Sequence, residues 1–206
     1  MSFQSVFYKT ELSDLLIDQI NHQFNLKTTL EKSMVMGDIV DNRIRNSENT
    51  WISSDHWLGG FIWYYINKAN KSNFLYDISS LDRESIQYTQ YGPGQFYNWH
   101  TDTSIDMYFG LNQPEASELS TEYANEKIGI EYELCRKLSF SIQLSGPDEY
   151  EGGELQFQKD DGTVYVAPKE KGMITVFDSR ARHRVRKVKS GVRKSLVGWV
   201  VGSRWK

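Results

Sequence analysis

Apolar positions along the chain follow two rhythms. Leu12, Leu15, Leu16, Ile20 and Phe24 recur at spacings of three and four, the stripe of an amphipathic helix, with Ser13 and Asp14 placed to begin it. A second helix is predicted from His56 to about Ala69, after Ser53-Ser54-Asp55, and its Trp57, Leu58, Phe61, Ile62, Tyr65 and Ile66 make it the more thoroughly buried of the two. From about residue 85 the period becomes two. Ile86 to Tyr91 alternates, and Lys137 to Ser145 does so more clearly, with Leu138, Phe140, Ile142 and Leu144 on one face and Ser139, Ser141, Gln143 and Ser145 on the other. A polar inward face is costly in a solid core and suits a strand lining a wet pocket.

Further strands are predicted at 154–158, 163–166, 173–177, 183–188 and 194–201. Between them stand the turn signals Gly152-Gly153, Asp160-Asp161-Gly162, Lys171-Gly172 and Ser190-Gly191. Many short strands with frequent turns predict a sandwich or barrel-like double sheet, with the helices packed on its outer face. The organisation expected is a single domain over 1–206: a mostly helical N-terminal support over 1–84, and a β core over 85–206. The stretch 103–136 interrupts that core as a lid, acidic through its middle.

Composition narrows the class. The 206 residues are 39% hydrophobic and 14% aromatic, which supplies the apolar area for one core and excludes a disordered chain. The single cysteine, Cys135, excludes a disulfide framework and a multi-cysteine zinc site, and suits a reducing compartment. No apolar run reaches the ~20 residues of a membrane span, and the N-terminus is too polar for a signal peptide, so a cytoplasmic protein without a membrane partner is expected. The net charge of −3 argues against nucleic acid as a partner, although the run Arg180, Arg182, Arg184 and Arg186 offers a local basic face.

The chemistry concentrates in a few side chains. His100 and Asp102, two apart on an extended segment, point to the same side and can grip one ion. His183, opening a late strand, can return over them. Two imidazoles and one carboxylate on one face of a metal leave adjacent positions open, which suits non-haem Fe(II). Ten positions on, Arg193 shares strand parity with Ser195 and Trp199, so a guanidinium fork and a hydroxyl face the same way, as a small carboxylate requires. Against this stands the plain alternative of a turn-capping His100 and a surface His183. His22 and His56 read as packing, capping or surface groups, Gly152-Gly153 as a turn, and Trp99 and Tyr97 as core aromatics or groove walls.

The run Tyr91-Gly92-Pro93-Gly94-Gln95-Phe96-Tyr97-Asn98-Trp99-His100-Thr101-Asp102, then Tyr150-Glu151-Gly152-Gly153-Glu154-Leu155, then His183 through Gly191-Val192-Arg193-Lys194-Ser195, resembles the Fe(II)- and 2-oxoglutarate-dependent dioxygenases. The likeness is to their prolyl 4-hydroxylase-like branch of small bacterial and phage-type hydroxylases, over roughly 85–204. The resemblance implies a double-stranded β-helix, or jelly roll. It implies His100, Asp102 and His183 as iron ligands, Arg193 with Ser195 on the distal carboxylate of 2-oxoglutarate, and Tyr91 lining the cosubstrate pocket. Where certain relatives carry a tyrosine, this chain has Gln143, whose amide is expected to reach the cosubstrate. Asp102 favours hydroxylation over halogenation. The activity implied consumes molecular oxygen and hydroxylates a prolyl residue in a peptide or protein, and it leaves open a need for ascorbate to rescue stalled iron. Two alternatives remain: the same cofactor chemistry on a free amino acid, small metabolite or alkylated nucleobase, and a non-catalytic jelly-roll binding module.

Overall fold

In the computed structural model, which describes residues 4–27, 30–33, 43–53, 55–103 and 134–203, both expected helices form. α1 spans Asp14–Lys27, and the amide of Leu16 donates to Ser13 Oγ at 3.3 Å, so Ser13 caps its start. α2 spans Trp57–Ala69. Its N-cap is His56, whose ring nitrogen accepts from the amide of Leu58, and a π-helical turn over Asn70–Phe74 closes it against a left-handed Leu75. The buried stripe of α1 is Ile17, Ile20, Asn21 and Phe24. Leu15, expected to face inward, is 71% exposed and Leu16 also reaches solvent. The stripe is turned because the sheet lies on the Ile17 side, and three- and four-residue spacing admits either choice.

The large sheet is built from seven strands in the order β1-β11-β7-β14-β5-β4-β2. These are β1 (Ser5–Lys9), β2 (Glu31–Lys32), β4 (Glu48–Ile52), β5 (Ser80–Tyr91), β7 (Leu134–Gln143), β11 (Met173–Asp178) and β14 (Arg193–Ser203). Facing it is a five-stranded sheet, β10-β9-β12-β6-β3. Its members are β3 (Arg45–Asn46), β6 (Phe96–His100), β9 (Leu155–Gln158), β10 (Val164–Val166) and β12 (Arg182–Val185). A short ribbon of β8 (Tyr150–Gly152) with β13 (Val188–Gly191) closes one end, and among the described residues every strand pairing is antiparallel. This is the jelly roll.

The 1–84 segment is less helical than expected, since β1, β2 and β4 join the large sheet and β3 joins the small one. The strand expected over 183–188 is two elements, β12 and β13, and Ser190-Gly191 lies at the end of β13 rather than in a turn. Of the expected lid over 103–136, residues 104–133 lie outside the described residues, while Leu134 to Arg136 already belong to β7.

Strand parity sorts the interior. Leu138, Phe140, Ile142 and Leu144 of β7 join Ile86, Tyr88, Ile174, Val176, Leu196 and Val200 on the face covered by α1 and α2, forming the main apolar core. The opposite face of the same sheet carries Gln87, Thr89, Ser139, Ser141, Gln143, Thr175, Arg193 and Ser195, all buried and all polar. Tyr91 and Phe177 join Leu155, Phe157, Val185 and Val188 in a smaller cluster between the sheets. The interior between the sheets is therefore lined, not filled.

Candidate active site

β6 and β12 run antiparallel with His100 directly opposite His183, and Asp102 lies two residues past the end of β6, its amide tied to the carbonyl of Ser179 at 2.9 Å. The ligating atoms of His100, Asp102 and His183 lie within 4.8 Å of one another. His100 Nε2 and His183 Nε2 each stand 3.6 Å from a different oxygen of Asp102. Both imidazoles are held the same way. Nδ1 of His100 meets the carbonyl of Asn98 at 2.7 Å, and Nδ1 of His183 meets that of Ala181 at 2.9 Å, so each ring spends Nδ1 on the backbone and offers Nε2 to the shared centre. Tyr97 stacks on His100 at 3.5 Å between centroids, and Phe177 meets His183 edge-on.

Electrostatics favour an open ligand set. Burial first, and the Coulombic influence of the neighbouring His183 second, push His100 down to about 3, so its ring is neutral at physiological pH. Burial pushes the Asp102 carboxyl up, but the two histidines and a hydrogen bond from Ser139 outweigh it and hold it below the usual range. A neutral imidazole and an ionised carboxylate are the forms a divalent ion needs. Two nitrogens and one oxygen on one side of a point fit a non-haem iron with open positions opposite.

Arg193 enters from β14, opposite Tyr91 on β5, and is 2% exposed. Its guanidinium donates to Ser195 Oγ at 3.1 Å and lies 5.7 Å from the Tyr91 ring centroid, and among the described residues no carboxylate pairs with it. A buried cation without a counter-ion fits an anionic ligand. The structure thus brings Arg193, Ser195 and Tyr91 together; Tyr91 and Arg193 line one cavity with His100, Asp102 and His183. Gln143 lies on the same face of the sheet, where its Nε2 donates to the hydroxyl of Tyr150 at 2.9 Å and to the carbonyl of Ser145 at 3.2 Å.

Arg45 escapes the sequence reading, while Trp199 follows the strand parity it shares with Arg193. Arg45 on β3 is buried, donates to Ser47 Oγ at 2.9 Å and Gln87 Oε1 at 2.8 Å, and lies over the Tyr97 ring. At the other end, Trp199 lines the cavity beneath the Arg136 guanidinium, 4.0 Å from its ring, with Trp51 6.3 Å away and Arg136 paired to Asp82 at 2.6 Å. Trp99 faces away from the cavity, flanked by Arg184 at 4.5 Å and Arg182 at 6.0 Å. Arg180 is bound by the buried carboxylate of Asp178. Cys135 is buried and free, and among the described residues no helix is long and apolar enough to cross a membrane.

Comparison with known proteins agrees with this geometry. The profile of the 2OG-Fe(II) oxygenase superfamily matches residues 86–201, more than half of the chain. A PKHD-type hydroxylase of Crocosphaera subtropica is 30% identical over 116 residues, covering 56% of this chain and 42% of that protein. One from Synechococcus elongatus is 25% identical over 181 residues, covering 83% and 71%. The chain spans about half the length, or less, of the first such relatives it matches. Among solved structures, a prolyl-4-hydroxylase of Pseudomonas putida superposes with a TM-score of 0.67 at 19% identity, covering 98% of this chain and 94% of that one. A prolyl hydroxylase of Trichoplax adhaerens, solved with a hypoxia inducible factor peptide fragment, reaches 0.70 at 15% identity, covering 95% and 82%. Identities this low speak for the fold.

Proposed function

We propose that this chain, which belongs to the 2OG-Fe(II) oxygenase superfamily, hydroxylates a C–H bond in an Fe(II)- and 2-oxoglutarate-dependent reaction, its substrate a prolyl residue in a peptide or protein. The observation that carries the reading is the convergence of His100, Asp102 and His183 beside a buried Arg193 that has no carboxylate partner among the described residues. Bound Fe(II) with molecular oxygen supplies the oxidising power, as 2-oxoglutarate goes to succinate and carbon dioxide and one oxygen atom enters the substrate.

The protein's part is binding and orientation. His100, Asp102 and His183 would hold the metal, and the carbonyls of Asn98 and Ala181 fix the histidine rings. Arg193 and Ser195 hold the far carboxylate of the cosubstrate and Tyr91 walls it, while the two sheets keep bulk water from the centre. Trp199 at the cavity's end, with Trp51 beside it, supplies flat apolar surface of the kind a pyrrolidine ring stacks on, and the prolyl hydroxylases among the structural neighbours support a prolyl substrate. A second reading keeps the chemistry and substitutes a free amino acid, because Arg45 places a guanidinium beside the same cavity.

The test measures succinate formed from 2-oxoglutarate without added substrate. His100→Ala and Asp102→Ala are expected to reduce it to background; wild-type rates in both variants would remove the metal assignment. Offering proline-rich peptides and free proline in parallel, and reading the +16 mass shift, separates the two substrates.

A further inference from the structure

Tyr150 carries a buried hydroxyl for whose proton no acceptor stands among the described residues. The residue is 5% exposed on β8. Its oxygen accepts from Gln143 Nε2 at 2.9 Å, and the Gln143 amide is oriented by the same nitrogen's second bond, to the carbonyl of Ser145. Gln143 is therefore a donor to Tyr150, and among the described residues no acceptor takes the phenolic proton. The guanidinium of Arg193 neighbours the hydroxyl, and the ammonium of Lys169 lies over the ring at 4.6 Å. A Cβ placed at Gly153 would lie 3.1 Å from Cε2 of Tyr150 and 3.3 Å from Cδ of Arg193, so the two side chains flank one point, and glycine at a φ of +62° makes room for both. Burial raises the phenol above its ordinary range against the opposing pull of Arg193 and Gln143, so it stays protonated at neutral pH and able to donate.

An unspent O–H beside a buried cation is a site for an anion. We propose that Tyr150 binds the distal carboxylate of 2-oxoglutarate alongside Arg193 and Ser195, and that Gln143 is a positioning residue acting through Tyr150. This rests on the cosubstrate assignment made above. It also gives the Gly152-Gly153 turn a role beyond reversing the chain: it carries Tyr150 to the anchor.

The experiment is calorimetric titration of the Mn(II)-loaded, anaerobic protein with 2-oxoglutarate and, separately, with oxalate, a chelator that lacks the distal carboxylate. Tyr150→Phe keeps the ring and its packing. It is expected to weaken 2-oxoglutarate about tenfold, equal to about 1.4 kcal/mol, and to leave oxalate unchanged. Gln143→Leu is expected to give a smaller loss of the same kind, and no added loss when combined with Tyr150→Phe. Wild-type affinity in Tyr150→Phe, or a parallel loss for oxalate, overturns the role given to Tyr150. Absence of 2-oxoglutarate binding by the wild-type protein, with oxalate still bound, overturns the cosubstrate reading itself.

Discussion

Single side chains here carry opposite demands within a few ångströms. Tyr88, with no exposed surface, donates its hydroxyl to Asn21 Oδ1 at 3.3 Å and accepts from Gln90 Nε2 at 3.1 Å, and burial pushes its phenol up to about 12. Tyr76 reaches about 12 as well, by burial and by its 2.6 Å bond to Asp178. An unfolded tyrosine releases its proton near pH 10. Between about 10 and 12 the unfolded chain therefore holds fewer protons than the folded one, and stability is complete below pH 10 and lost as pH rises through that window. Urea unfolding from pH 8 to 11.5 should show the decline, with a shallower slope in Tyr88→Phe; equal slopes would remove the effect from this residue. Legibility also divides at this scale. Arg193 and Ser195 announce themselves by strand parity. Tyr150 does not, because Asp148-Glu149-Tyr150-Glu151-Gly152-Gly153 reads as a polar turn, and Arg45 is hidden in the polar run from Asp41 to Thr50, where nothing signals burial.

For whole elements, the question is which face is covered. Ile17 has no exposed surface on α1, whereas Leu15, a member of the expected stripe, is 71% exposed. Ile17→Ala should cost about 2–5 kcal/mol in chemical denaturation, while Leu15→Ala should stay within about 0.5 kcal/mol. Similar losses for both would mean that α1 packs with another face inward. β5, β7, β11 and β14 are readable because one face of each carries large apolar residues at alternate positions: Ile86 and Tyr88, Leu138 to Ile142, Ile174 and Val176, and Leu196 and Val200. β1 and β4 are not, since Ser5–Lys9 and Glu48–Ile52 are short, lack a clean alternation and owe their place to the longer β11 and β5. β13 hid behind the turn signal of Ser190-Gly191, whose Gly191 has a φ of +71° and lies so close to Glu149 and Tyr150 that no Cβ fits.

For the molecule as a whole, the candidate ligands come from both the first and last thirds of the jelly-roll core, so an ion bound to them ties distant parts of the chain together. Ligand binding to the folded state alone adds stability by mass action, about 2.7 kcal/mol at a hundredfold excess over Kd. For a chain of this size that corresponds to roughly 5–10 °C in thermal midpoint. Mn(II) with 2-oxoglutarate should raise the wild-type midpoint by this order and leave Asp102→Ala unmoved. An equal shift in both proteins would show that the ion binds somewhere else.

β7 shows how the fold can change its work without changing its frame. Its odd-numbered residues from Ser139 to Gln143 answer to the cavity, and its even-numbered residues from Leu138 to Ile142 answer to the helices. Since neighbouring positions project in opposite directions, selection for a new ligand and selection for a robust scaffold act on interleaved but separate sets of codons. A lineage built this way can drift in chemistry while its architecture stands still.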